Sequence, residues 1–248
     1  MRIIMTNQKG GVGKTTLVFH LASLFAADGK RVLAVDLDPQ ANLTSCYLRG
    51  ELPPESNIAL LYRSESPLPL IVGDHLDLVG SDPSLGSHED HGSTDRIRAI
   101  KEWLDGLPGY DIVIFDTPPA MGLFTRSALL ASDFALIPAD VSWFAYKGLA
   151  DLVSSIESLR ARHQAEVRPL GIILNGMQER QGFAQETWAA LDDRYGHLLF
   201  KNTIPESVRV REAASQGIPV TELDRRGKAA AAYRALYAEI RERLEAMP

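Results

Sequence analysis

The sequence predicts an α/β fold with a mostly parallel central sheet and helices on both faces. Three observations predict it. Short apolar runs alternate with segments of helical period along the 248 residues. Two of those runs end on an aspartate, at Asp36 and Asp116. The first run leads straight into a glycine-rich segment and then a helix.

The elements follow in order. Arg2 to Asn7 reads as a buried first strand, and Lys14 to Asp28 as a helix with Leu17, Leu21, Leu24 and Phe25 on one face. Gly29 ends that helix, since glycine tolerates the left-handed turn that closes a helix. Arg31 to Asp36 is a second strand. Residues 50–95, rich in Pro, Ser, Asp and His, are less regular, with one short strand at Leu76 to Val79. Ile97, Ile100, Leu104 and Leu107 mark a helix, and Asp111 to Asp116 a strand. Phe134 to Pro138 and Leu170 to Leu174 are strands flanking a helix near 146–163. Helices near 183–195 and 228–246 complete the chain, and with no linker in view residues 1–248 read as one domain.

Composition narrows the class. Hydrophobic residues are 45% and charged residues 23%, as in ordinary globular proteins. A single cysteine, Cys46, excludes an intrachain disulfide and a Cys-rich metal or iron–sulfur site within one chain, and a reducing, cytoplasmic setting is the simplest expectation. No apolar run approaches the ~20 residues of a membrane-spanning helix. The net charge of −6 excludes a wholly basic nucleic-acid binder but leaves room for a local basic patch.

The glycine-rich segment is Lys9-Gly10-Gly11-Val12-Gly13-Lys14-Thr15-Thr16, between the first strand and the first helix. That context makes it a phosphate-binding loop, and the fold a P-loop NTPase. Small residues let backbone N–H groups converge on phosphate oxygens, and the helix N-terminus adds partial positive charge. Lys14 reaches the terminal phosphates in such a loop, and Thr15 ligates Mg²⁺. The strict pattern needs glycine where Gln8 stands, and Lys9 adds a second positive charge. The apolar strand ending in Asp116, closed by Thr117-Pro118-Pro119, is the pattern of a carboxylate that serves Mg²⁺ through water. Asp36 and Asp38, two apart on an extended segment, point the same way at the ligand-binding edge of a parallel sheet.

KGGVGKTT closely resembles the deviant Walker A motif of the ParA/MinD group of ATPases. Met121 to Thr125, Ile137-Pro138, Trp143 to Ala145 and Thr203 to Arg209 fit the same group, and the likeness is poorest over residues 50–95. The resemblance implies ATP and Mg²⁺ as ligands and a homodimer with two ATP molecules sandwiched face to face. In it Lys9 crosses to the partner's nucleotide. It assigns Asp36 to Gln40 to switch I, with Asp38 orienting the attacking water near Mg²⁺. Asp36 is left between a structural role and a role through a Mg²⁺ water. Asp116 to about Gly122 becomes switch II. The catalytic set is then Lys9, Lys14, Asp38 and Asp116, with Thr15, Asp38 and Asp116 around the metal. Asn175 and Pro205 match positions that flank adenine in relatives.

The loop starts eight residues from the N-terminus, which leaves no room for a preceding helix-turn-helix, so the resemblance is to the short type that binds double-stranded DNA without reading sequence. Gly196 to Pro248 carries nine Lys or Arg and seven Asp or Glu, a local net of +2. Arg180, Arg209 and Arg211 match or adjoin DNA-contacting positions. The implied cycle is ATP-driven dimerisation on the nucleoid, reset by hydrolysis that a ParB-like or cargo-adaptor protein stimulates. His20, Lys147 and Glu206 depart from the residues common in the group. A MinD-like membrane-associated ATPase is the rival, although the mixed charges of Glu239 to Pro248 disfavour a membrane helix. A small-molecule kinase or synthetase on this fold is a third reading. His88-Glu89-Asp90-His91 reads as a solvated loop rather than a metal site, and Trp103, Trp143 and Trp188 as core or interface residues.

Overall fold

A computed structural model describes residues 1–89, 94–107, 109–140, 143–177 and 195–247. Eight strands form one sheet: β1 (Arg2–Met5), β2 (Val32–Asp36), β3 (Leu70–Gly73), β4 (Leu76–Val79), β5 (Ile112–Asp116), β6 (Phe134–Ala139), β7 (Arg168–Met177) and β8 (Ile204–Pro205). Their order is β3-β4-β2-β5-β1-β6-β7-β8. Every neighbouring pair is parallel except β3 with β4. Parallel strands sit between two helical layers, so both faces need apolar side chains. Every residue of β2 and β5 is accordingly buried.

The helices are α1 (Lys14–Ala27), α2 (Asn42–Tyr47), α3 (Ala99–Asp105), α4 (Leu123–Ala131), α5 (Trp143–His163), α6 (Val208–Gln216), α7 (Val220–Leu223) and α8 (Lys228–Ala246). One core joins Leu33, Val35, Phe115 and Ile137 to residues of α3, α4 and α5. The other joins Ile3, Met5, Ala34 and Ile114 to α1, α6 and α8. Register places the chemistry at one edge: Met5 and Asp36 both lie opposite Asp116, at the carboxyl ends of β1, β2 and β5. The loop after β1 therefore opens beside both aspartates.

Helix α1 is more buried than its predicted apolar stripe requires. Val18, Phe19, His20 and Ala22 are buried along with Leu17, Leu21 and Phe25, because α2, α6 and α8 wrap the side facing away from the sheet. It ends at Gly29, in the left-handed region with φ 76° as the sequence predicts.

Residues 50–95 differ most from expectation. Besides β4 they contain the antiparallel edge strand β3 and 3-10 turns at Pro54–Ser56, Ile58–Arg63, Pro83–His88 and Thr94–Arg98. Asn57 Oδ1 accepts from Ala59 N at 2.9 Å and Asp82 Oδ1 from Ser84 N at 2.8 Å, which caps two of the turns. Ile58, Tyr62 and Leu85 carry the segment into the core, joined by Ile97 just beyond it. His88 is not solvated: it is half-buried and its ring stacks on Tyr62 with centroids 5.9 Å apart. Asp90, His91, Arg180 and residues 183–194 of the predicted helix 183–195, with Trp188, lie outside the described residues, and Tyr195 at its end is buried in the core. Trp103 is a core residue.

Candidate nucleotide-binding site

The loop from Thr6 to Gly13 is shaped by its glycines and by Asn7. Gly11 and Gly13 hold φ of 76° and 86°, values that β-carbons disfavour. A β-carbon on Gly13 would also lie 2.1 Å from Asn175 Nδ2. Asn7 is a residue the sequence reading passed over. Its Oδ1 accepts from Lys9 N at 2.9 Å, and its Nδ2 donates to Pro138 O at 2.6 Å, which moors the loop to β6. Helix α1 then begins without a side-chain cap and without an acidic residue in its first turn. Its first N–H groups and dipole face the loop, an arrangement made for an anion.

Lys14 is buried in this loop, and its Nζ donates to Lys9 O at 3.3 Å. Burial lowers its pKa, while the charges of Asp116 and Asp38 oppose that shift. Thr15 Oγ1 donates to Asp116 Oδ2 at 2.6 Å. Asp116 Oδ1 is buried and has no hydrogen-bond partner among the described residues. Burial, and then the neighbouring Asp36, raises the Asp116 pKa well above the carboxylate range. A divalent cation at this point reverses that penalty, because its charge favours the ionised carboxylates. Asp38 Oδ1 accepts from Gln40 N at 3.0 Å, which fixes its carboxylate at the head of a turn. A cleft of about 710 Å³ runs over these groups, lined by Gly10, Lys14, Thr15 and Asp38 and continued by Arg49 and Ser215.

Sequence comparison agrees with this geometry. Residues 1–168 match a family described as an AAA domain. The chromosome-partitioning ATPase Soj of Thermus thermophilus is 36% identical over 255 residues, covering 98% of this chain and 96% of that one. The sporulation initiation inhibitor protein Soj of Bacillus subtilis is 31% identical over 245 residues, covering 96% and 97% of the two chains. The chain belongs to the ParA/Soj family of partitioning ATPases. It is an ATPase, and ATP is its nucleotide. The McdA structure from Cyanothece, solved as an ATP complex, shares the fold with a TM-score of 0.88 at 24% identity, covering 100% of this chain and 97% of that one. The residues present fit that chemistry. An uncapped helix start suits phosphates, and an Asp116 Oδ1 without a partner among the described residues, on the carboxylate that the Thr15 hydroxyl donates to, suits a hydrated cation.

The ParA/Soj frame also locates the remaining candidates. Lys9 is exposed in the loop, and its Nζ pairs with Asp140 at 2.5 Å. Asp140 was not legible as a partner, because 131 residues separate the two. Asn175 lies on β7 beside Ile204 of β8, and Met177 lies beside Pro205, so the two adenine candidates share one corner. Asn175 Nδ2 donates to Val12 O at 2.8 Å, so that amide braces the phosphate loop. Arg209 and Arg211 lie on α6, exposed, and pair with Glu212 at 2.6 Å and Glu206 at 3.6 Å.

Proposed function

We propose that this ATPase is a nucleotide-switched homodimer that binds double-stranded DNA without reading sequence and hydrolyses ATP to segregate DNA or position a cargo on the nucleoid. In this reading residues 1–248 act as one ATPase unit. One observation carries it: the loop has two lysines of opposite exposure. Lys14 is buried against the phosphate path, whereas the Lys9 side chain is 42% exposed, where a second chain can approach.

The residues then divide the work. The N–H groups of Gly10, Gly11, Val12, Gly13, Lys14, Thr15 and Thr16 hold phosphate oxygens, and Lys14 neutralises the terminal phosphates. Thr15 and Asp116 would hold a hydrated metal, which would supply Lewis-acid stabilisation of the phosphoryl group. Asp38 orients the attacking water, and phosphoryl transfer asks for little beyond such positioning and charge. Asn175 and Pro205 flank the base. Lys9 leaves Asp140 for the partner's nucleotide, so ATP stabilises the dimer by binding only where both chains meet. Arg209 and Arg211 lie on a surface that dimerisation doubles, giving avidity for DNA phosphates. A ParB-like or cargo-adaptor protein accelerates hydrolysis and release.

The terminal helix supports DNA over a membrane as the surface engaged. Ile240 and Leu244 of α8 are buried in the core, and its exposed residues Arg241, Glu242 and Glu245 mix charges. A membrane-binding helix needs its bulky apolar residues outward. No helix among the described residues is long and apolar enough to cross a membrane.

Light scattering on Asp38→Ala, with ATP and Mg²⁺ or with ADP, tests the dimer. The expected result is a doubled mass with ATP alone, returned to the single-chain mass by adding Lys9→Ala. A single-chain mass under every condition would refute the sandwich.

A further inference from the structure

The role of Asp36, which its sequence position leaves open, is resolved by what its oxygens touch. Asp36 ends β2, is fully buried, and lies in register with Asp116 on β5. Its Oδ1 accepts from Asp38 N at 3.1 Å. Its Oδ2 accepts from Thr44 N and from Thr44 Oγ1, each at 2.8 Å. The Thr44 hydroxyl in turn accepts from Ser81 N at 2.9 Å, just beyond β4. Asp116 presents a contrasting pattern, with one oxygen on Thr15 and the other without a partner among the described residues. Asp36 is thus directed at the backbone of the 38–44 segment, and Asp116 at the metal.

That segment needs holding. Ala41 sits in the left-handed region at φ 55°, which a residue with a β-carbon disfavours. The turn between the two anchors is closed by Ala41 N donating to Asp38 O at 2.8 Å. Asp36 fixes both ends of it, at Asp38 and at Thr44, and Thr44 extends the anchor to the 50–95 segment through Ser81. We infer that Asp36 and Thr44 form a positioning pair that fixes the Asp38 carboxylate for hydrolysis, with the 50–95 segment as its abutment. The inference rests on the assignment of Asp38 to the attacking water.

The test is steady-state ATP hydrolysis, resolved into kcat, the KM for ATP and the Mg²⁺ dependence. Thr44→Val keeps the shape and removes the bridging hydroxyl, and Thr44→Ser restores it. In Asp36→Asn, whichever way the amide turns, one backbone N–H faces an NH₂ group. Thr44→Val and Asp36→Asn are expected to lower kcat between about ten- and a hundredfold, the range for a displaced catalytic group, with the KM for ATP and the Mg²⁺ midpoint within about threefold of the parent. Thr44→Ser is expected to recover most of the rate. Unchanged kcat in Thr44→Val, failure of Thr44→Ser to rescue, or a loss that excess Mg²⁺ repairs would overturn the inference. Asp38→Ala in the same assay separates the two claims. If it hydrolyses normally, the assignment of Asp38 falls. If it is dead while Thr44→Val is normal, only the positioning pair falls.

Discussion

Asp116 and Thr15 show how much one atom can carry. With Oδ2 on the Thr15 hydroxyl and Oδ1 buried without a partner among the described residues, the proposed site leaves Asp116 one oxygen for a metal-bound water. Asp116→Asn is therefore expected to keep the sheet intact yet lower the Mg²⁺-dependent ATPase at least about a hundredfold, as measured by phosphate release across a Mg²⁺ titration. His20 offers a second residue-level prediction. Burial against Phe19 and Tyr233 lowers its pKa from 6.5 to about 4. The unfolded chain takes up that proton first, so the stability from neutral His20 is complete above pH 6.5 and is lost as pH falls toward 4. The loss reaches on the order of 3 kcal/mol. Asp36, raised by burial to about 6, runs the other way in the same window. The difference between the parent and His20→Asn in urea denaturation at pH 7.5 and pH 5 cancels that term. The parent is expected to lose more stability on acidification than the variant, and equal losses would contradict a buried neutral imidazole.

At the scale of elements, the parts that could be read were those whose signal is contiguous. The loop from Lys9 to Thr16 sits where its pattern requires, between β1 and α1, and both apolar strands end on the aspartates that the sequence marks. Thr15 and Asp116 could be paired through the metal assigned to both, but other partners were not readable, since Asn7 with Pro138 and Lys9 with Asp140 meet across more than 100 residues of chain. The 50–95 segment was opaque for another reason. Its 3-10 turns are too short to establish a period, and their caps, Asn57 and Asp82, read equally well as loop residues. Two variants probe the elements. Gly13→Ala forces a β-carbon onto a φ of 86° and against Asn175, so ATP affinity measured by calorimetry is expected to fall beyond detection and the melting temperature to fall by a few degrees. Arg243 ties α8 to the sheet: it donates to the carbonyls of Leu170, Leu198 and Leu199, pairs with Glu239 at 3.0 Å, and lies 3.9 Å over the Phe200 ring. Arg243→Ala is expected to cost about 2 kcal/mol in chemical denaturation, and a cost near zero would show that α8 docks through its apolar face alone.

The whole molecule presents a net charge of −6, so an affinity for DNA has to come from distribution and from doubling. Residues 196–248 carry the local excess of +2, yet Arg209 and Arg211 are each offset by a glutamate on or beside the same helix. In the proposed dimer two copies of that surface act together, which is where the proposal places the avidity for DNA phosphates. The same offset makes Glu206 a sensitive position, and Glu206→Arg is expected to tighten DNA binding and steepen its salt dependence. The central claim is that ATP, through the dimer, switches DNA binding on. It is tested most directly by the affinity for random-sequence duplex DNA with ATP, with ADP and without nucleotide, using Asp38→Ala to slow hydrolysis. The account predicts binding with ATP alone, abolished by Lys14→Ala. Binding that is absent, or the same in all three nucleotide conditions, would contradict it.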